Sequence, residues 1–103
     1  MPEPKYQILN TKYKIHTFKD LETWKQAHIL VLMVYKATSS FPKYELYSLV
    51  DQIRRAVVSI SSNIAEGFSR NTKKEKVRFY NISLGSLLEI QNQTQIALDL
   101  NYK

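Results

Sequence analysis

Between Leu46 and Ile64 the chain repeats apolar residues at the period of an α-helix. At 100° per residue, Leu46, Leu49, Val50, Ile53, Val57, Ile60 and Ile64 fall on one side, with no glycine or proline among them. A stripe of this kind predicts a helix that buries one face against a core. Pro42 stands ahead of it and cannot lie in a helix interior, and Gly67 follows the last periodic residue, where a glycine can take the left-handed conformation that closes a helix. Both boundaries of the element therefore have a chemical cause.

Two more helices are predicted around it. The first starts at Asp20, an N-cap type of residue, and runs to about Ser39 with Leu21, Trp24, Ala27, His28, Val31, Val34, Tyr35 and Thr38 on one stripe. Ile29, Leu30, Met33 and Ala37 form a second apolar group on its far side. The third starts at Thr72, which forms a capping box with Glu75, and runs to about Asp99, roughly 42 Å at 1.5 Å per residue. Val77, Tyr80, Leu84, Leu87, Leu88, Gln91 and Leu98 are expected on its core side, widened by Phe79, Ile90 and Ala97, with Ile82, Ile96 and Leu100 opposite. The expected fold is all-α, an up-and-down antiparallel bundle of three long helices over residues 18–103. A helix apolar on two sides needs two partners, so Ile29, Leu30, Met33, Ala37, Ile82 and Ile96 are expected at an interface between copies. Residues 1–17 form an N-terminal arm in which Lys12, Lys14 and His16 alternate with Tyr13, Ile15 and Thr17. That period of two reads as an extended arm or short strand, or as a tail with a few docked aromatics.

Size and composition narrow the class. A chain of 103 residues buries one core. No run of 18 apolar residues exists, so no membrane span is expected, and the first residues, MPEPKYQILN, lack an apolar signal segment, which points to the cytoplasm. The absence of cysteine fits that compartment and removes thiolate catalysis, disulfides and cysteine metal sites.

The segments FKDLETWKQAH, SSFPKYELYSLVDQIRRAVVSISSNIAEGFSR and SLGSLLEIQNQTQIALDLNYK resemble the bacterial family of 23S ribosomal RNA intervening-sequence proteins, also called S23 proteins. The resemblance covers about four fifths of the chain and is most specific in IRRAVVSISSNIAEGFSR. It implies an antiparallel four-helix bundle that assembles as a homopentamer. A relative, the accessory variability determinant of diversity-generating retroelements, implies a partner of the reverse-transcriptase ribonucleoprotein kind. One departure stands out: members continue past Asn101 and Tyr102 into a fourth helix, whereas this chain stops at Lys103. Three packed helices alone, a neighbouring subunit on the open face, or a truncated reading frame would each account for it.

Charge is where function enters. Fifteen Lys and Arg against nine Asp and Glu give +6, which favours an anionic partner. Arg70, Lys73, Lys74, Lys76 and Arg78 cluster at the start of the third helix beside one acid, Glu75. Cations at a helix N-terminus oppose the macrodipole, each by ~0.3 to 1 kcal/mol when exposed, so a bound phosphate backbone would relieve them. A solvated collar partly neutralised by Glu66 and Glu75 is the alternative. Arg54 and Arg55 are further candidates for nucleic-acid contact, set against structural roles: Arg55 can pair with Asp51, and Arg54 can cover apolar surface with its methylenes.

Catalysis finds no constellation. His28 lies on an apolar stripe without an acid at a productive spacing, and His16 lies on the arm. Ser59, Ser61, Ser62 and Ser69 lack a base, and Gly67 and Gly85 are too far apart to cradle a phosphate. No metal, cofactor or small-molecule substrate is expected. Two functions remain: an oligomeric scaffold binding structured RNA or a ribonucleoprotein through its basic surface, and a scaffold docking a protein on its spare apolar faces.

Overall fold

The computed structural model describes residues 15–102. Three long helices, α1 (Glu22–Thr38), α2 (Leu49–Ser69) and α3 (Lys73–Asp99), follow one another, with 3₁₀ turns at Phe18–Asp20 and Lys43–Glu45. Among the described residues there is no strand. The expected arm falls almost wholly on residues 1–14, outside those described.

α2 is the shared element. α1 and α3 each pack on it and not on one another, so the layer is open where the outer helices diverge. The stripe read from the sequence accounts for this: Leu49, Val50, Ile53, Val57, Ile60 and Ile64 are buried, joined by Ala56 and Gly67, and Val57 is fully enclosed. Burying a side chain such as Ile53 stabilises by about 1.5–3 kcal/mol relative to exposure. Leu46, expected on the same stripe, lies before the helix and is exposed.

Both helix pairs are antiparallel, as their contacts require. Arg54, early in α2, reaches the last turn of α1, donating from Nε to Thr38 Oγ1 at 3.0 Å and from a terminal nitrogen to the Tyr35 carbonyl at 3.3 Å. Its guanidinium lies 4.6 Å from the Tyr35 ring centre. A cation there answers carbonyls that a helix C-terminus leaves without partners. Between α2 and α3, Ser83 Oγ donates to the Ile60 carbonyl at 2.8 Å and Ser86 Oγ to Ser59 Oγ at 2.8 Å.

α3 departs from expectation in phase. Its buried residues are Ser83, Ser86, Ile90, Gln93 and Ala97, a 3,4,3,4 spacing like a coiled-coil seam, with Phe79 partly buried one turn earlier. Val77, Tyr80, Leu84, Leu87, Leu88 and Leu98, expected in the core, are exposed, Leu88 and Leu98 at 60%. The cause is steric. Two serines allow a close approach and answer their hydroxyls across the seam, which leucines at those positions would prevent.

Gly67 is a second correction. It sits inside α2 with no left-handed backbone, and the helix continues to Ser69. The Tyr80 ring demands the glycine: a Cβ at position 67 would lie 2.5 Å from Tyr80 Cε1. Asp20 is a third. Leu21 stands at the N-cap of α1, while Asp20 Oδ2 accepts from the His16 and Thr17 N–H groups at 2.8 and 3.1 Å, completing a capping box around the Phe18–Asp20 turn. Those donors, His16 first, hold its carboxyl below the usual range. Leu30, expected on the far side of α1, packs against the core.

The end of α3 closes as a Schellman motif. Asn101 takes φ 63°, the Tyr102 N–H bonds to the Ala97 carbonyl at 2.9 Å and the Asn101 N–H to that of Leu98 at 3.0 Å. The turn delivers Tyr102 to the loop between α1 and α2, 5.4 Å from the Phe41 ring, with its hydroxyl donating to Glu45 Oε2 at 2.7 Å.

Candidate nucleic-acid interface

Only three residues, Arg70 to Thr72, separate α2 from α3, so the negative end of one helix and the positive end of the other meet at one corner. Thr72 caps α3 by accepting from the Glu75 N–H at 3.2 Å. The Glu75 carboxylate turns toward Arg78, at 3.5 Å, so the reciprocal half of the expected box is replaced by an ion pair.

The five predicted cations divide into three groups. Lys76 is committed to α2: its amine donates to the Gly67 and Phe68 carbonyls at 3.1 and 2.9 Å, closing that helix from the first turn of the next. There the cation favours a helix dipole, because the end it meets is α2's negative one. Arg70 and Arg78 are paired and half exposed. Arg70 bonds to Glu66 at 2.7 Å, with its guanidinium carbon 4.7 Å from the Phe79 ring centre, and that of Arg78 lies 5.2 Å from the same ring. Lys73 and Lys74 are exposed and make no ion pair or hydrogen bond through their side chains among the described residues. These two still oppose the dipole of α3. The corner thus brings five cations to two carboxylates, Glu66 and Glu75.

Arg54 and Arg55 stand apart, some 15 residues or roughly 22 Å of helix from Arg70. Arg54 holds the end of α1, and Arg55 pairs with Asp51 at 3.0 Å with 79% of its side chain exposed. Of the residues expected between copies, Ile29, Met33 and Ala37 are exposed on α1 and Ile82 and Ile96 on α3, whereas Leu30 is partly buried.

Two features of the surface escaped the reading of the sequence. Phe79 gathers two guanidiniums, a role signalled only by an arginine as its chain neighbour and another nine residues earlier. The second is an apolar groove of about 440 Å³ between the start of α1 and α3, floored by Ile60 and Ile64 and walled by Leu21, Tyr80, Leu84 and Leu87. It follows from the shifted phase of α3.

His28 stacks on Trp24, with ring centres 4.8 Å apart, and Ser59 is occupied by Asn63 and Ser86. Among the described residues no three His, Asp or Glu approach closely enough to share a metal ion, and no helix is long and apolar enough to cross a membrane.

A comparison with curated proteins yields no match. A family model described as 23S rRNA-intervening sequence protein matches residues 19–103, all three helices and the cationic corner included. The chain therefore belongs to the 23S rRNA-intervening sequence protein family.

Proposed function

We propose that this protein is a non-enzymatic, self-associating helical scaffold that binds structured RNA through the corner where α2 meets α3. The observation that carries the reading is the pair Lys73 and Lys74, exposed at the first turn of α3 and in no ion pair among the described residues. Phosphate fits there by charge and by its affinity for helix N-termini. The family's name supplies the RNA context. Copies associate through the outer face of α1, around Ile29 and Met33, and through the exposed stripe of α3. By resemblance to the family the subunit number is five, and repetition of the corner around a ring would join weak patches into one avid surface. The scaffold works in the cytoplasm, and a reverse-transcriptase-like ribonucleoprotein is a partner of matching chemistry.

The test is binding to an RNA hairpin across a salt series. Affinity should fall steeply as salt rises, and a Lys73→Gln, Lys74→Gln variant should lose affinity and flatten the salt slope by about 1 per lysine removed. Salt-insensitive binding, or a slope equal in both proteins, would overturn the reading.

A second function has an observation of its own. The 440 Å³ groove, mostly apolar with Thr23 and Ser83 as its polar lining, suits a protein segment carrying aliphatic side chains. Binding through it would be insensitive to salt and lost on Leu84→Glu.

A further inference from the structure

Phe79 does more than extend the seam between α2 and α3. The guanidinium carbons of Arg70 and Arg78 lie 4.7 and 5.2 Å from its ring centre, within the range of a cation held by an aromatic face. Each guanidinium is also fastened by a carboxylate, Arg70 by Glu66 at 2.7 Å and Arg78 by Glu75 at 3.5 Å. Both nevertheless keep much of their surface, 42% and 63% of the side chain. Two planar groups are thus held by ring and carboxylate while still open to solvent.

A guanidinium plane stacks a nucleobase much as an aromatic ring does, and its N–H edge remains able to bond a phosphate. The base must offer a free face. Inside a continuous duplex both faces are covered by neighbouring pairs, so the ligand that fits has an unstacked base in a bulge, loop or end. Lys73 and Lys74, six and five residues before Phe79, supply point charges for the flanking phosphates.

We propose that Arg70, Phe79 and Arg78 form a nucleobase-stacking site, and that the nucleic acid taken by this corner carries at least one unpaired base beside the phosphates that Lys73 and Lys74 contact. The proposal rests on the RNA-binding reading above and adds the class of RNA.

The experiment compares two RNA hairpins of equal charge density, both closed at loop and end by non-nucleotide linkers, one with a single bulged 2-aminopurine and one fully paired, against the full chain and an Arg70→Lys, Arg78→Lys variant. Lysine keeps the charge and removes the plane. The full chain should bind the bulged hairpin about tenfold tighter, the order that stacking of one base contributes, and should change the 2-aminopurine emission. The variant should stay folded by far-ultraviolet circular dichroism and bind the two hairpins alike, losing the preference for the bulge. Equal, salt-dependent binding of both hairpins would overturn the stacking site while leaving RNA binding in place. A bulge preference that survives in the variant would overturn it equally. Absence of salt-dependent binding to either hairpin would remove the RNA reading and this proposal with it.

Discussion

α2 and α3 carry apolar stripes of the same helical period, and their fates are opposite. On α2 the stripe is the core. On α3 the corresponding residues, Tyr80, Leu84, Leu87 and Leu88, stand in solvent, while the neighbouring register of Ser83, Ser86, Ile90, Gln93 and Ala97 meets α2. Periodicity identifies a face that gains from burial; it does not say which face finds a partner. Where two helices approach closely, small residues decide the register, here two serines and the Gly67 against which Tyr80 lies. The consequence for function is a division of labour. α2 spends its surface on the fold, and α3 keeps both an apolar stripe and a cationic start available to other molecules.

The largest effect expected from this contrast lies in the core. Ile53→Ala on α2 should cost about 2–5 kcal/mol in urea unfolding, independent of protein concentration. Leu84→Ala on α3, at a side chain 56% exposed, should cost within about 0.5 kcal/mol in dilute protein. If copies associate through this stripe, as proposed, its cost should rise with concentration. A concentration-independent cost equal to that of Ile53→Ala would break the distinction between the helices.

A smaller effect is expected where they touch most tightly. Gly67→Val should destabilise by about 1–3 kcal/mol and displace Tyr80, seen as a change in tyrosine near-ultraviolet dichroism. An unchanged spectrum and stability would mean that the ring does not need the glycine. Arg54→Ala, which removes the cap of α1, should cost about 1 kcal/mol, whereas Lys73→Ala should stay within about 0.5 kcal/mol while weakening RNA binding. The two cations thus separate structural from functional charge.

The smallest expected effect is a pH dependence at the far end of α3. The hydrogen bond from Ser48, then that from Tyr102, holds the Glu45 carboxyl below its usual range. Its folded-state value is depressed, so its contribution is present above the ordinary carboxylate value and fades as pH falls through the lowered one. The Tyr44 hydroxyl beside it and the bond to Glu45 push the Tyr102 phenol up. That contribution is complete below the ordinary phenol value and is lost as pH rises through the raised one. Glu45→Gln should flatten the acid limb of a stability-against-pH curve, and an acid limb unchanged in the variant would place its cause elsewhere.

Much of the fold was legible because α2 is written in branched aliphatics at one period: six of its seven predicted stripe residues are buried. α3 was misread by one position, since Ser83 and Ser86 look solvent-facing in a sequence and become a seam only when their hydroxyls find partners on α2, while Gln93 is buried beside them with its Oε1 unpartnered among the described residues. Gly67 looked like a stop and is a clearance. At the corner, charge was legible and commitment was not. Nothing in the order of residues distinguishes Lys76, which closes α2, from Lys73 and Lys74, because the distinction is made by where α2's last carbonyls point. Phe79 read as core for the same reason, Arg70 being brought to its ring by the turn between the helices.

On the reading proposed, the RNA-facing surface is the start of α3 and not its apolar stripe or the outer face of α1. A titration of the isotope-labelled full chain with hairpin RNA, followed residue by residue through amide and side-chain chemical shifts, addresses it most directly. Salt-sensitive shifts are expected between Arg70 and Phe79, with Ile29, Met33 and Leu98 unmoved. Shifts centred on Leu84, Leu87 and Leu88, or on Ile29 and Met33, with the cationic corner silent, would contradict that reading.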